Sequence, residues 1–580
     1  MRVNLKYKFS NAAIVFTVLL AVISSYYLNW SKHSTVNFAD GDSKDYYSYL
    51  LSVFIHHDLG HQQGSDWFLM QTGSGTINVH PVGVSLLILP FFGIGSMMAL
   101  LLHFPLDGLS LPFQVSMALA ALFYACIGLI FIKKTLILYG TSDKITALVL
   151  LLTFFGTNLL NYTLNEALMS HVYSFSLISI FLYHSGKYIT LHTNRNLYFS
   201  ATVLGLIILV RPNNILVLLS VFIWFSNRQQ CKEFFRNLFR SRVFYSALLI
   251  TFLLVLIQSL VWYIQSGSLL HHTYKADGFY WLHPQILKML FGFDGGFFVY
   301  VPLCFVFLFG LTIIYKESKF RFIAFTAFLA LLIYFFASYW AYTYFDGLGI
   351  RVLVDFYAFF SFLGAKLFTQ LSFHKGIFAA VSAICVFFTY ISLVYCYQQK
   401  NNILLRSGMT FNQWKYIFLK TNKEYNGCLG GSNDLTPYAK AHPAPSLSKE
   451  SPLERPYNFE GNDFSVGVGF DSIGFSSNRL HFKIDVDYRE ATVSTSKDAL
   501  ICVVVEDKDT TVQKKYAAFR MNETPATECC ENHEYHYTLN MLGRFKNSSK
   551  IIVYIWNVAK KAFFVNKFSV RVYNYNYQIN

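Results

Sequence analysis

Three carboxylates stand close together just after the first apolar segment of the chain. They are Asp40, Asp42 and Asp45, in the stretch FADGDSKDYYSYLL at residues 38–51. From Asp42 onward, apolar and aromatic residues recur at three- and four-residue intervals, which is typical of an amphipathic helix lying in a membrane interface. A carboxylate there can act as a general base toward a group that arrives from the water. It can equally cap the helix, where Asp42 would satisfy free backbone N–H groups without any chemistry.

Further polar side chains stand at the edges of apolar segments. Arg211 lies in RPNN between two apolar half-segments, where a charge either snorkels to the interface or faces a partner or a polar cavity. Arg351 follows the loop SYWAYTYFDGLGI, and Asp346 or Asp355 is a possible ion-pair partner. His171 opens the segment SHVYSF, where a lone histidine is often structural. Because all of them are predicted on the same side as the carboxylates, the sequence favours a shared site.

The composition indicates a membrane protein with many spans. Of the 580 residues, 54% are hydrophobic and 14% are charged. The net charge of +15 lies mainly in short basic clusters between apolar segments, so it orients the chain and does not indicate a nucleic-acid partner. The strongest cluster, RQQCKEFFRNLFRSR at residues 228–242, is predicted to be cytoplasmic.

The hydropathy pattern predicts a polytopic α-helical membrane protein with about 11–13 apolar segments. The segments fall near residues 11–28, 80–104, 112–132, 145–161, 172–189, 197–210, 212–226, 243–265, 297–315, 321–338, 351–371 and 376–397. A full crossing at 80–104 would invert the distribution of basic clusters. That segment is therefore predicted to be re-entrant, or a hairpin broken at Gly93-Ile94-Gly95.

The C-terminal part differs in composition from the rest. Residues 401–460 are polar and contain several prolines, which is typical of an exposed connector. After them, alternating or β-branched runs such as RLHFKIDVDY and SKIIVYIWNV are separated by polar turns. The sequence thus predicts a membrane domain over 1–400 with a first outer loop at 29–79, a connector over 401–460, and a β-sandwich over 461–580. The β-sandwich is expected to bind or dock, since it contains no nucleophile motif.

The membrane part resembles the GT-C class of polyprenyl-phosphate-sugar glycosyltransferases, close to the family 39 protein mannosyltransferases and the lipid A aminoarabinose transferases. In those proteins an Asp-Glu pair precedes an aromatic residue; here Asp42 stands four residues before Tyr46, and Ser43 occupies the Glu position. His80-Pro81, in NVHPVGVSLLILP, is similar to a basic residue and proline that precede the next segment in the family. SHVYSF, ILVRPNN and FGFDGGFFVYVPL look like motifs of bacterial proteins of this type. The resemblance covers roughly residues 1–400.

The resemblance implies a membrane glycosyltransferase that moves a sugar from a polyprenyl-phosphate donor to an extracytoplasmic protein, lipid or glycan. Such a reaction needs a base for the acceptor hydroxyl and cationic groups for the departing phosphate. Asp42 is the predicted base and Asp40 the alternative, while Arg351 and Arg211 are predicted to hold the phosphate. The other predicted substrate-binding residues are His171, Asn213, His80, Asp346 and Tyr46.

The absence of a phosphate-cradling glycine loop from the sequence favours a lipid-linked donor. No metal ligand and no other cofactor is predicted. The expected partners are membrane lipid, the donor and an extracytoplasmic acceptor. The expected location is the cytoplasmic (inner) membrane, with the C-terminal domain outside. Two alternatives stay open, namely a transporter or flippase for a lipid-linked saccharide, and a non-catalytic membrane scaffold.

Overall fold

The computed structural model describes residues 7–26, 41–62, 69–72, 75–271, 278–344, 347–401, 403–405, 408–422, 425, 446–450, 457–461, 463–465, 467–491, 499–506, 514–521, 532–558 and 560–574. The helices are α1 (Lys8–Ser25), α2 (Gly41–Phe54), α3 (Gly83–Leu101), α4 (Leu111–Leu138), α5 (Asp143–Phe155), α6 (Leu159–Leu164), α7 (Ser170–Leu191), α8 (Asn194–Val210), α9 (Arg228–Arg240), α10 (Arg242–Ser266), α11 (Ile286–Phe291), α12 (Phe297–Tyr300), α13 (Pro302–Leu308), α14 (Gly310–Glu317), α15 (Lys319–Ala337), α16 (Tyr357–Leu371), α17 (Lys375–Lys400) and α18 (Phe411–Ile417). The 3-10 helices Pro212–Trp224 and Arg351–Phe356 interrupt this series.

The strands are β1 (Leu69–Gln71), β2 (Thr76–Asn78), β3 (Leu447–Glu450), β4 (Tyr457–Asn458), β5 (Val468–Phe470), β6 (Ser477–Glu490), β7 (Ala499–Glu506), β8 (Lys514–Arg520), β9 (Asn532–Phe545), β10 (Lys550–Asn557) and β11 (Phe563–Asn574). The described residues group into two compact units. The first contains Met1–Tyr274, Phe297–Ala337 and Gly349–Leu393; the second contains Lys275–Gly296, Ser338–Leu348 and Val394–Asn580.

Seven helical segments of the described chain are long and apolar enough to cross a membrane. They are Lys8–Ser25, Gly83–Leu101, Leu111–Leu138, Arg242–Ser266, Lys319–Ala337, Arg351–Leu371 and Lys375–Lys400. Only 22% of the apolar window in Arg242–Ser266 is buried, so most of its large apolar side chains face outward, where lipid can cover them. The chain is a multi-pass membrane protein, as its composition predicts.

One end of the helical unit collects basic residues from several helices. Lys133, near the end of α4, donates a hydrogen bond to Asn11 at the start of α1. Lys134 lies 5.8 Å from the ring centroid of Tyr183 on α7. We call this the basic end. Helices α4 and α7 both run toward it, so the beginning of α7 lies toward the opposite end of the unit.

Helix α3 continues without a break through Gly93 and Gly95, so the alternative of a hairpin broken at these glycines is wrong for residues 80–104. A Cβ at Gly95 would lie 2.6 Å from Ser116 Oγ on α4, so this glycine allows two helices to pack closely. Near the start of α3, Ser85 donates to the Tyr46 carbonyl on α2, and the Tyr47 hydroxyl of α2 donates to the Gly108 carbonyl in the segment between α3 and α4. The segment between α3 and α4 therefore packs on α2.

The C-terminal strands form two antiparallel sheets around one apolar core. One sheet has the order β5-β10-β7-β8, and the other has the order β3-β11-β6-β9, with β4 beside β11. Burial alternates along β10, where Ile551, Val553 and Ile555 point into the core. Each such side chain stabilises the fold by about 1.5–3 kcal/mol relative to its exposed state. The predicted architecture, an apolar multi-helical part followed by a β domain, is confirmed.

Strands β3 and β4 lie within residues 401–460, where the sequence predicts a connector. Leu447–Glu450 pairs with Ser569–Val572 of β11, and Tyr457–Asn458 pairs with Phe564 and Val565 of the same strand. Both strands are short and mostly exposed, so they carry little of the alternating pattern by which longer strands are recognised. Their strand character comes from hydrogen bonds to β11.

Candidate active site

Helix α2 presents three side chains of the site. Asp42, Asp45 and Tyr46 are three and four residues apart, so they share one face of the helix. Asp42 lies in the first turn, where its negative charge is favourable toward the free N–H groups. The Asp45 side chain is completely buried, whereas 15% of the Asp42 side chain is exposed. Asp42 is thus the carboxylate of this face that a substrate can reach.

Asp42 is paired with a cation from a distant part of the chain. Arg351 Nη2 lies 3.1 Å from Asp42 Oδ2, and 16% of the arginine side chain is exposed. On the other side, His80 Nε2 lies 3.8 Å from Asp42 Oδ1. Each oxygen of this carboxylate therefore faces a different side chain, which is more than a capping role requires.

The His80 ring is held from several directions. Its Nδ1 lies 3.1 Å from Asp45 Oδ2, and its ring meets the Tyr46 ring edge-on at 5.0 Å. Its backbone N–H donates to Asn78 Oδ1 at 2.9 Å, while its carbonyl accepts from the Tyr49 hydroxyl at 2.7 Å. These contacts fix both the position and the orientation of the imidazole, and they direct Nε2 toward Asp42.

A second carboxylate, Asp355, organises a neighbouring cluster. Its Oδ1 lies 2.8 Å from His171 Nδ1, its Oδ2 accepts from Asn214 Nδ2 at 2.7 Å, and Arg211 Nε lies 3.4 Å from that same Oδ2. Asp355 and His171 are completely buried, while 15% of the Arg211 side chain is exposed. An ionised carboxylate at this depth requires such partners, because burial of an unpaired charge is costly.

Ser170 connects the two clusters. Its hydroxyl accepts a hydrogen bond from Arg211 Nη1 at 3.0 Å, and it also shares a hydrogen bond with the Tyr46 side chain. Arg351 and Asp355 both belong to the 3-10 helix Arg351–Phe356, so a single short element supplies one member to each cluster. The exposed edges of the combined site are formed by Asp42 and two arginines.

The charges of the site hold Asp42 in its ionised form. Burial would raise the pKa of Asp42, but Arg351, His80 and Arg211 outweigh that effect and hold it at about 2. Burial and the nearby Asp42 charge raise the pKa of Tyr46 to about 12, so the phenol stays protonated. At neutral pH the site thus offers a carboxylate that accepts hydrogen bonds and a phenol that can donate one.

The two arginines also determine which kind of ion this site attracts. Asp42 and Asp355 each already have a guanidinium partner, and both guanidinium groups are partly exposed. Within the described ranges, no group of three or more His, Cys, Asp or Glu side chains is placed to hold a metal ion. Planar guanidinium groups match the oxygens of a phosphate, which they can contact in a bidentate manner.

Six of the residues predicted from the sequence meet in this site, namely Asp42, Tyr46, His80, His171, Arg211 and Arg351. Asp40 and Asp346 lie outside the described residues. Asn213 is exposed, and its neighbour Asn214 donates to Asp355, so the predicted substrate-binding role of Asn213 stays a prediction. Adjacent residues of a 3-10 helix point about 120° apart, so only one of the two asparagines can face the cluster.

Four members of the site are absent from the residues predicted for it: Asp45, Ser170, Asn214 and Asp355. Asp45 carries a local signal, because it follows Asp42 by three residues on the same helix face. Asp355 follows Arg351 by four residues, which makes it a natural candidate for a local ion pair. The structure instead pairs Asp355 with Arg211, and Arg351 with Asp42.

The fold and the site define a multi-pass membrane protein with a charged, mostly buried site in its helical unit and a C-terminal β domain. No protein-family profile and no curated protein matches the chain. Among solved structures, it is similar to the crystal structure of the Archaeoglobus fulgidus oligosaccharyltransferase, in complex with zinc and sulfate. The TM-score is 0.42 at 11% identity, and the match covers 74% of this chain and 59% of that one, less than two thirds of its length.

Proposed function

We propose that this protein is a membrane glycosyltransferase that moves a sugar from a polyprenyl-phosphate donor to an extracytoplasmic acceptor. The observation that carries the proposal is the pairing of Asp42 with Arg351 at a partly exposed edge of a multi-pass helical unit. A base and a phosphate-binding cation are the two groups that transfer from a sugar phosphate requires. Here they are in direct contact.

The donor phosphate would bind between the two arginines. Arg351 and Arg211 each keep part of the guanidinium group exposed while pairing with a carboxylate, so an incoming phosphate can share them. When the bond between the sugar and the phosphate breaks, charge grows on the phosphate oxygens, and the guanidinium groups stabilise that charge. Asp42 would accept the proton of the attacking acceptor group.

The distribution of basic residues supports a location for this site outside the cytoplasm. The end of α4 carries Lys133 and Lys134, and helix α9 is strongly basic. The positive-inside rule assigns both regions to the cytoplasm. Helix α7 begins beside the site at Ser170 and carries Tyr183 to the basic end. We therefore propose that the site faces the outer side of the cytoplasmic (inner) membrane, and, as the sequence predicts, that the C-terminal β domain lies outside as well.

The test is transfer of radiolabelled sugar by the purified protein, supplied with polyprenyl-phosphate sugars and an extract of envelope components. A labelled product that depends on the protein is expected. A flippase would instead move the donor across vesicle membranes and leave it chemically unchanged. A scaffold would neither form labelled product nor move the donor. Movement of unchanged donor, or the absence of both effects, would refute the proposal.

The variant Asp42→Asn tests the base within the same assay. Asparagine keeps the size of the side chain and its hydrogen-bonding oxygen but cannot take up the proton, so the rate should fall by about 10²–10⁴-fold with donor binding retained. Asp58→Asn, at an exposed carboxylate of the following loop, is the matched control and should transfer normally. Normal transfer by Asp42→Asn would move the assignment to Asp40.

A further inference from the structure

The two sheets of the β domain differ in their outer faces. In the sheet β3-β11-β6-β9, the residues of β6 that alternate with the core are charged at Asp485 and Asp487. In the sheet β5-β10-β7-β8, the corresponding residues of β10 are Ile552, Tyr554 and Trp556, all half-buried. An antiparallel sheet that packs one face on a core commonly has polar residues on the other face. The outer face of the second sheet is instead apolar and aromatic along β10.

Three aromatic rings stand together on this outer face. Phe464 forms an antiparallel bridge with Trp556, and the two ring planes are 21° apart, with their centroids separated by 6.0 Å. The Tyr554 ring lies edge-on to that of Phe464 at 5.9 Å. Phe464 is 52% exposed, so solvent reaches these rings. We call the three residues the aromatic platform; backbone pairing along β10 holds it in place.

Two glycines keep the platform open along one side. Gly467 directly precedes β5 and Gly469 lies within it, and both point outward because the intervening Val468 is in the core. A Cβ at Gly467 would lie 3.5 Å from the Cβ of Tyr554, whereas one at Gly469 would have ordinary contact with the Ile551 carbonyl oxygen at 3.9 Å. Glycine in a strand often marks the close approach of a ligand. These two positions therefore leave a trough beside the rings.

Charged groups lie at both ends of β10. At its start, Lys550 Nζ is 3.9 Å from Asp471 Oδ1, and beyond its end Lys560 Nζ is 3.0 Å from Asp463 Oδ1. Asp463 is tied to the end of the strand because its carbonyl accepts a hydrogen bond from the Asn557 N–H at 2.7 Å. Two acids and two bases balance in charge, and together they offer hydrogen-bond acceptors and donors. The face thus has an apolar centre and polar ends without a net charge.

We propose that this face of the β domain binds an uncharged oligosaccharide chain. A sugar ring has an apolar C–H face that packs on aromatic side chains, and its hydroxyl groups both donate and accept hydrogen bonds. The outward row from Ile552 to Trp556 is about 14 Å long, which is longer than a single sugar ring. A lipid chain would bury the charged ends without hydrogen-bonding to them. The inference goes beyond the proposed function, because binding by the β domain does not depend on Asp42.

The first experiment is calorimetric titration of the full-length protein with defined saccharides. The protein is held in nanodiscs of phosphatidylethanolamine and phosphatidylglycerol, since a detergent with a sugar headgroup would compete for the face. Maltohexaose, cellohexaose and chitohexaose are the uncharged probes, and hexagalacturonic acid is the anionic one. We expect at least one uncharged hexasaccharide to bind, and to bind more tightly than the anionic one. The lack of binding by all three uncharged probes at millimolar concentration, or a preference for the anionic probe, would overturn the inference.

Two substitutions locate the binding site within the molecule. Trp556→Ala removes the largest ring of the platform and should weaken binding by about tenfold or more. Gly469→Val places a side chain in the trough and should weaken binding to a similar extent. Valine favours a strand and its Cβ has room at this position, so Gly469→Val should unfold at the wild-type temperature or above it. Phe564→Ala is the matched control, because it removes a half-buried ring from the other sheet, where Arg489 lies 5.1 Å from the ring centroid; it should bind as the wild type does.

The remaining outcomes assign the face to something else. Wild-type binding by both Trp556→Ala and Gly469→Val would mean that the saccharide binds elsewhere and would overturn the inference. Light scattering tests a second copy of the chain as the occupant. Self-association that disappears in Trp556→Ala, without saccharide binding by the wild type, would make the face a contact between copies. Such a failure leaves the proposed transfer reaction intact, since transfer is measured in a separate assay.

Discussion

At the scale of single residues, the most consequential feature is that Asp42 is held as a weak base. A carboxyl group whose pKa is about 2 takes up a proton poorly at neutral pH. Arg351 is the first of the cations that lower this pKa, and the proposed function also assigns it to the donor phosphate. A bound phosphate would draw the Arg351 charge toward itself, so Asp42 should become a stronger base once the donor is present.

The variant Arg351→Ala should impair donor binding and turnover together, because the phosphate loses a partner in both the ground state and the transition state. It should also change the pH dependence. The low pKa keeps Asp42 ionised until the pH falls toward about 2; without Arg351 that pKa rises, so the charge is lost at a higher pH.

The measurement is the ratio of the transfer rates at pH 5 and pH 7, together with donor affinity. The ratio should be lower in Arg351→Ala than in the wild type. Arg351→Lys is the matched control. Lysine keeps the positive charge, so most of the wild-type pH dependence should remain, but it cannot make bidentate contact with a phosphate. Equal ratios in all three proteins would show that Arg351 does not control Asp42.

The adjacent asparagines provide a second test at this scale. Asn214 is buried and donates to the ionised Asp355, whereas Asn213 is exposed. Loss of a hydrogen bond to a charged group costs about 1.5–3 kcal/mol, so Asn214→Ala should lower the thermal unfolding temperature in detergent. Asn213→Ala should leave it nearly unchanged. The opposite order would contradict the described Asp355 cluster.

At the scale of elements, the site is built from two 3-10 helices, the amphipathic helix α2, the start of α7 and the segment before α3. Pro212–Trp224 begins directly after Arg211, and Arg351–Phe356 begins at Arg351 itself, so each guanidinium group stands where a new element starts. Pro212 fits the first position of its helix because its missing N–H would have no partner there. Both arginines therefore reach into the site from the ends of apolar segments.

Helix α3 leads to a prediction about topology. Because its following turn packs on α2, a cysteine at the half-exposed Leu106 should react from outside intact cells with a membrane-impermeant thiol reagent. A cysteine at the exposed Gln230 of α9 should react only after the cells are permeabilised. Both variants are made in a cysteine-free background. Labelling of Leu106→Cys only after permeabilisation would mean that α3 crosses the membrane.

At the scale of the whole molecule, the second unit includes short segments that lie within the membrane part of the sequence. Asp294 accepts hydrogen bonds from the backbone N–H groups of Gly408 and Met409, at 2.6 and 3.3 Å. The Phe293 ring lies 4.8 Å from that of Phe411 and 5.1 Å from that of Trp414. Residues 408–422 thus contact Asp294 and Phe293, and they are not part of a free connector.

Two truncations test this organisation. A chain ending at Lys400 lacks all the partners of Asp294 and Phe293 named above, whereas a chain ending at Tyr425 keeps them. Both should insert into the membrane, because the apolar helices satisfy their own backbone groups. The shorter chain should be less stable to heating in detergent, as followed by size-exclusion chromatography. Equal stability of the two chains would show that residues 408–422 contribute little.

The sequence by itself determined the properties that depend on local pattern. Long apolar runs predict membrane helices, alternating runs predict the β domain, and charged residues at the edges of apolar segments mark much of the site. The tertiary structure decided which of those residues meet. Asp42 pairs with Arg351 and not with a neighbour on its own helix, and His80 is held by Asp45. Asn214, and not the adjacent exposed Asn213, donates to Asp355. The reason is physical: periodicity shows which face of an element is buried, but its contacts depend on the packing of segments far apart in the chain.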